Sequence, residues 1–145
     1  MDDEKIIPSI VFLLKSEMKK ILLVDDDPVF QAVARKMIEN CQLVDYIISS
    51  FRNGKEALDH LKQVTSSPDD SLVLLDLNMP VMNGMEMVDS IRRLEAYRNT
   101  PIFMLTTQAG KEIAKKGKEI GVTAWMVKPF KTDMLRKGLQ RVLAA

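Results

Sequence analysis

At 145 residues, with 46% hydrophobic and 28% charged residues and a net charge of +1, the chain has the size and mix of one soluble globular domain with enough apolar material for a real core. That balance removes any whole-molecule electrostatic case for a nucleic-acid or acidic-membrane partner. A single cysteine, Cys41, rules out an intramolecular disulfide, no Cys/His cluster suggests zinc, and no apolar run is long enough to cross a bilayer, so a cytoplasmic protein is expected.

In chain order, residues 1–17 read MDDEKIIPSIVFLLKSE, with an apolar stretch from Ile6 to Leu14. Acidic residues precede it, Pro8 interrupts it and no small-residue cleavage site follows, which argues against a secretion signal. Several readings stand for this extension: packing on the domain, self-association of copies through 6–14, a partner contact, or a natural start at Met18. An exposed stretch this apolar would promote association, so burial is expected. The run Ile21–Val24 then reads as a strand ending in Asp25, Asp26 and Asp27, and Pro28 suits a first helical turn. Phe30, Val33, Ala34, Met37 and Ile38 follow at helical spacing.

Val44–Ile48 is strand-like, Asn53-Gly54 signals a turn, and Ala57, Leu58 and Leu61 share one face of a second helix. The polar loop TSSPDDS (65–71) leads to Leu72–Leu75, a continuous apolar run of the kind a central buried strand shows. NMPVMNG is a loop before a helix over Met85–Leu94. Thr100-Pro101 introduces the strand Ile102–Leu105. Lys111–Ile120 is a basic helix that Gly121 is placed to end. Ala124–Val127 is the fifth strand candidate and Lys131–Leu143 the last helix, with Met134, Leu135, Leu139 and Val142 apolar. Strict alternation of five strands and five helices argues for a doubly wound α/β domain, a parallel sheet with helices on both faces.

In such a sheet, ligands bind at the carboxyl ends of the strands. The chemically loaded residues fall there: the aspartates after the first strand, Asp76 after the third, Thr106 after the fourth and Lys128 after the fifth. Gathered carboxylates repel one another until a cation relieves them. Mg²⁺ suits such a site, since it takes oxygen ligands and leaves room for water and phosphate oxygens. An ammonium and a hydroxyl beside it complete the equipment of phosphoryl transfer, in which positioning and charge neutralisation dominate and a carboxylate can be the nucleophile.

The motifs ILLVDDDP, LLDLNMPVMNG, MLTT and MVKPF, in this order, resemble the receiver domain of bacterial response regulators, specifically the single-domain, chemotaxis-regulator-like type. The likeness covers 18–145 and leaves 1–17 as an extension of unassigned role. It implies the flavodoxin-like strand order 2-1-3-4-5, for which a member of this family is a standing example. It implies Asp76 as phosphoacceptor, Asp26 as a direct Mg²⁺ ligand, Asp25 holding the ion through water, and Asn78 offering its backbone carbonyl. Lys128 would pair with Asp76 at rest and with the phosphoryl group afterwards. Thr106 would move toward that group, and Trp125 would take the place of a switch aromatic, bulkier than the usual Tyr or Phe. Pro129 would follow a cis peptide, and Gly84 would permit a tight turn beyond the acceptor.

Each motif also has a plainer reading. Asp27 before Pro28 suits a helix cap. His60 is expected to be a solvated residue rather than a relay histidine, and Cys41 a small apolar filler. Lys111, Lys115, Lys116 and Lys118, with Lys137 and Arg141, fit a solvated helix face better than a nucleic-acid patch, with an acidic protein partner between the two. Met79, Met82, Met85 and Met87 divide between core and an adaptable partner surface.

The implied function is a phosphoacceptor switch. A sensor histidine kinase or histidine phosphotransfer protein supplies the phosphoryl group, and an unidentified protein target reads the result. A phosphorelay carrier and a phosphorylation-independent interaction module are the alternatives, the latter opposed by the complete set Asp25, Asp26, Asp76, Thr106 and Lys128. A turnover enzyme is not expected. A phosphatase with a covalent aspartyl intermediate wants a second carboxylate two residues on, where this chain has Asn78.

Overall fold

The computed structural model describes residues 19–63 and 70–143; the apolar segment 6–14 and most of the loop 65–71 lie outside the described residues. Five strands, β1 (Lys19–Val24), β2 (Tyr46–Phe51), β3 (Ser71–Leu75), β4 (Ile102–Thr106) and β5 (Ala124–Val127), form one sheet in the order β2-β1-β3-β4-β5. Every pairing is parallel, with Val24 opposite Phe51 and Leu75, and Met104 opposite Trp125. The helices are α1 (Pro28–Asn40), α2 (Gly54–Gln63), α3 (Gly84–Arg93), α4 (Lys111–Ile120) and α5 (Thr132–Leu143). This is the expected doubly wound order.

The pleat sorts the strand residues between two cores. Leu22, Val24, Val73, Leu75, Ile102 and Met104 point to one face, where α2 and α3 supply Ala57, Leu58, Leu61, Met87, Val88 and Ile91. Ile21, Leu23, Leu72, Leu74, Phe103 and Leu105 point to the other, against Ala34 and Ile38 of α1 and Leu135 and Leu139 of α5. All five residues of β3 are buried, as a strand covered on both faces requires. Burying each large apolar side chain contributes roughly 1.5–3 kcal/mol, so this central layer carries much of the stability.

Local chemistry sets the helix starts. Asp27 caps α1, its side chain accepting from Val29 N at 2.9 Å, with Pro28 in the first turn. Asn83 and Glu86 form a capping box on α3, which therefore begins at Gly84 rather than Met85. Asn53-Gly54 is a helix start rather than a free turn. Asn53 Oδ1 accepts from Glu56 N at 2.9 Å, and Gly54 opens α2 where a Cβ would press on Met82 and Met87 at 3.2–3.3 Å. Gly121, with φ 108°, ends α4 as expected.

Other elements differ from the sequence pattern. β2 begins at Tyr46, because Gln42 and Asp45 adopt positive φ and leave Val44 79% exposed outside the strand. The buried stripes of α1 and α5 are narrower than the apolar spacing suggested, with Val33 and Met134 exposed. A short 3-10 turn, Glu95–Tyr97, follows α3 and buries Tyr97. Met79 and Met87 are buried in the core, and Met82 and Met85 are partly buried against it. Cys41 is buried, its Sγ 3.1 Å from the Met37 carbonyl oxygen, and burial pushes its thiol pKa up. His60 is exposed, its ring 5.0 Å from that of Phe51. No helix among the described residues is long and apolar enough to cross a membrane.

Candidate functional site

Parallel strands all end at the same edge of the sheet, and the side chains that follow them meet there. Carboxylate oxygens of Asp25, Asp26 and Asp76 lie within 4.8 Å of one another. Asp25 is 2% exposed, and both its oxygens are engaged: Oδ1 accepts from Asp27 N at 2.8 Å and Oδ2 from Lys128 Nζ at 3.0 Å. Asp26 is exposed and faces the cleft between the β1 and β2 ends. Asp76 is half-buried; its N–H donates to the Val24 carbonyl at 2.9 Å, which fixes the root of the side chain. Burial raises the Asp76 carboxyl above its ordinary range. The Lys128 charge pulls it partly back, and Asp25 adds to the rise.

Lys128 was expected to pair with Asp76. It bridges both acids, at 3.0 Å to Asp25 and a longer 3.4 Å to Asp76. Its ammonium also sits 3.5 Å from the centroid of the Phe30 ring, a cation–π contact on the apolar side. The Lys128-Pro129 peptide is cis, as expected. Thr106 is fully buried at the end of β4, its Oγ1 accepting from Gln108 N at 3.2 Å. Trp125 lies against Gly117 of α4 and donates from Nε1 to the Gln108 carbonyl at 3.0 Å. Gly84 serves close approach rather than a left-handed turn. A Cβ there would stand 2.6 Å from the Asp76 carbonyl oxygen and 2.9 Å from Leu77 Cα. The positive φ in this loop belongs instead to exposed Val81, at 70°. Asn78 is exposed in the same loop, and among the described residues no hydrogen bond engages its carbonyl.

Three neighbours of the site carry no motif and were not singled out for it from the sequence. Phe30 fitted the α1 pattern as an ordinary apolar residue, yet it seats Lys128. Gln31 donates from Nε2 to the carbonyls of Asp25 at 2.6 Å and Phe51 at 2.8 Å, tying the ends of β1 and β2 together. Arg52 joins Asp25, Asp26, Pro28 and Gln31 in lining a cleft of about 380 Å³. Only the placement of Arg52 directly after a strand could have marked it.

A five-stranded parallel sheet that gathers three carboxylates, a buried hydroxyl and a bridging lysine at its carboxyl edge defines a phospho-acceptor class of α/β domain. A family profile described as the response regulator receiver domain matches residues 21–140. The chain belongs to that family and is a CheY-like receiver of two-component signalling. It is 33% identical over 124 residues to a chemotaxis protein CheY homolog of Campylobacter jejuni, covering 86% of this chain and 92% of that protein. Among solved structures, CheY4 of Vibrio cholerae superposes with a TM-score of 0.74 at 36% identity, over 87% of this chain and 99% of that one. The receiver domain of the sensor histidine kinase PA1611 of Pseudomonas aeruginosa, solved with a magnesium ion in its active-site cleft, also gives 0.74 at 28% identity, over 88% and 99% of the two chains.

Proposed function

We propose that Asp76 is the phosphoacceptor of a Mg²⁺-dependent switch, phosphorylated by a sensor histidine kinase or a histidine phosphotransfer protein. The observation that carries this is the set of three carboxylates within 4.8 Å with Lys128 bridged between two of them. The donor set fits a hard divalent cation. Asp26 and Asp76 offer carboxylate oxygens and Asn78 a carbonyl that no hydrogen bond among the described residues engages, while Asp25, its oxygens already taken, suits an indirect role. When bound, Mg²⁺ supplies the charge that offsets the carboxylates and the incoming phosphoryl oxygens.

The protein's own residues do the rest. The Asp76 carboxylate forms the new O–P bond as the donor's N–P bond breaks, and the departing imidazole takes up a proton. Lys128 exchanges part of its contact with Asp76 for a phosphoryl oxygen. Thr106, whose Oγ1 already accepts from Gln108 N, keeps its own hydrogen for donation to another phosphoryl oxygen. Asn78 puts no carboxylate two residues past the acceptor, which fits a signalling switch rather than a turnover enzyme. A switch of this kind works where its kinase and target work, the cytoplasm.

Intact-protein mass after incubation with Mg²⁺ and a small phosphodonor tests the proposal. A single phosphate adduct is expected, lost in Asp76→Asn and in chelator. An adduct that survives Asp76→Asn sinks the assignment.

A further inference from the structure

The acidic edge carries more negative than positive charge. Asp25, Asp26 and Asp76 contribute three negative charges against the one positive charge of Lys128. A divalent cation brings that sum to zero, and a phosphoryl donor arriving as a dianion returns it to a deficit. A further cation on the wall of the cleft therefore bears on which donors approach.

Arg52 stands on that wall. It follows Phe51, the register partner of Val24, so its backbone lies beside the Asp25 backbone. That root is braced on every side. The Phe51 carbonyl accepts from Asp25 N at 3.1 Å and from Gln31 Nε2 at 2.8 Å, and Arg52 N donates to Glu56 Oε2 at 3.3 Å. Glu56, the nearest acid in sequence, is thus turned to the backbone, and the Arg52 guanidinium forms no ion pair among the described residues. Arg52 is exposed and is one of the residues that line the cleft of about 380 Å³, together with Asp25 and Asp26.

We infer that Arg52 is a specificity-determining residue for the phosphoryl donor, drawing dianionic donors into the cleft beside Asp76. The inference rests on Asp76 being the acceptor. For a separation taken as roughly 8 Å, about one cleft width, a unit charge in water-like surroundings changes the local concentration of a dianion on the order of fivefold and that of a monoanion about twofold. The same charge opposes a divalent cation, so its removal has opposite signs on donor and metal.

Pseudo-first-order phosphorylation would be followed by intact mass with acetyl phosphate, a dianion near neutral pH, and with phosphoramidate, chiefly a monoanion. Arg52→Ala and Arg52→Gln should slow the first about fivefold and the second about twofold. Arg52→Glu should slow both further, and high salt should erase the differences. Lys62→Ala, which removes an equal exposed charge from the far end of α2, should match wild type. Calorimetry should show Mg²⁺ binding several-fold tighter to Arg52→Ala, a gain that damage to the loop could not produce. Equal slowing with both donors, no slowing, or weaker Mg²⁺ binding would overturn the inference. A wild-type protein that takes no phosphate on Asp76 from either donor overturns the acceptor reading itself and this inference with it. Normal wild-type labelling with an indifferent Arg52 sinks the inference alone.

Discussion

Arg92 offers the sharpest test of what holds the frame behind the site. It lies in the last turn of α3, and no carboxylate partners it among the described residues. Nη1 donates to the carbonyls of Tyr97 at 3.1 Å, Arg98 at 3.0 Å and Thr100 at 2.6 Å. Nε and Nη2 both donate to the Gly121 carbonyl, at 3.1 and 2.6 Å. One guanidinium thus joins the end of α3, the approach to β4 and the residue that terminates α4, and burial lowers its pKa. Replacement by Met keeps the stem and removes the donors. The Tyr97 carbonyl keeps a bond from Thr100 N at 3.2 Å, but the Thr100 and Gly121 carbonyls lose the only donors the described residues give them. Each carbonyl left unpaired costs about 1–3 kcal/mol, and no longer burying the charge offsets part of the sum, for a net loss of about 3 kcal/mol. In a domain of this size that is about 9 °C in Tm. Urea and thermal unfolding should show it, with Arg92→Lys in between. Amide exchange should quicken at Gly121 and Val122, whose N–H groups bond the Gly117 carbonyl at the frayed end. A loss below about 0.5 kcal/mol, the scale of an ordinary surface change, would refute the reasoning.

Three further outcomes follow from the site. Asp76 has a raised carboxyl pKa, so its folded form holds the proton more tightly than the unfolded chain and its ionisation costs stability as pH rises from the unfolded value toward the folded one. In chelator, Asp76→Asn should therefore be the more stable protein at neutral pH and lose that advantage below the ordinary carboxylate range; urea midpoints that stay parallel across pH would contradict this. Lys128→Met should lower stability by about 3 kcal/mol, since it leaves Asp25, 2% exposed, without its cation, and Asp25→Asn in the same chain should restore part of the loss. Gly84→Ala sets a Cβ 2.6 Å from the Asp76 carbonyl oxygen, where only backbone can yield, so about 2 kcal/mol of stability and much of the phosphorylation rate should go together. If Gly84→Ala labels as fast as wild type, the acceptor loop is not held as described.

The fold was legible because its signals repeat along the chain. Ile21–Val24, Leu72–Leu75 and Ile102–Leu105 are apolar runs too short for helices, and the helices between them carry their own caps and apolar faces. The polar residues at the strand ends were legible for the same reason, since parallel strands bring all their carboxyl ends to one edge. What escaped depends on contacts between distant residues. Gln31 is an unremarkable polar residue in a helix until the carbonyls of Asp25 and Phe51 are placed beside it. Arg92 reads as a last-turn basic residue until Gly121, 29 positions on, is found under it. The start of β2 was misplaced because Val44 is β-prone by type, while the positive φ of Asp45 decides where pairing begins.

The two expected switch residues are joined through the backbone of one residue, Gln108. Gln108 donates its N–H to Thr106 Oγ1 at 3.2 Å and accepts at its carbonyl from Trp125 Nε1 at 3.0 Å. A shift of the Thr106 hydroxyl toward a phosphoryl group on Asp76 would therefore draw on Gln108, and Gln108 holds the indole. The indole in turn rests on Gly117, where any Cβ would stand 2.9 Å from the ring. The bulk of Trp125 is thus matched by a glycine on α4, and the ring has a seat that the size of a switch tryptophan alone does not reveal. At its N-terminus α4 has only Gly110, with no side-chain cap, whereas its C-terminus is fastened through the Gly121 carbonyl to Arg92. A helix tethered at one end and uncapped at the other yields most readily at the uncapped end, next to Gln108. The fastening thus directs any displacement begun at Thr106 into the first turn of α4 and the indole beside it.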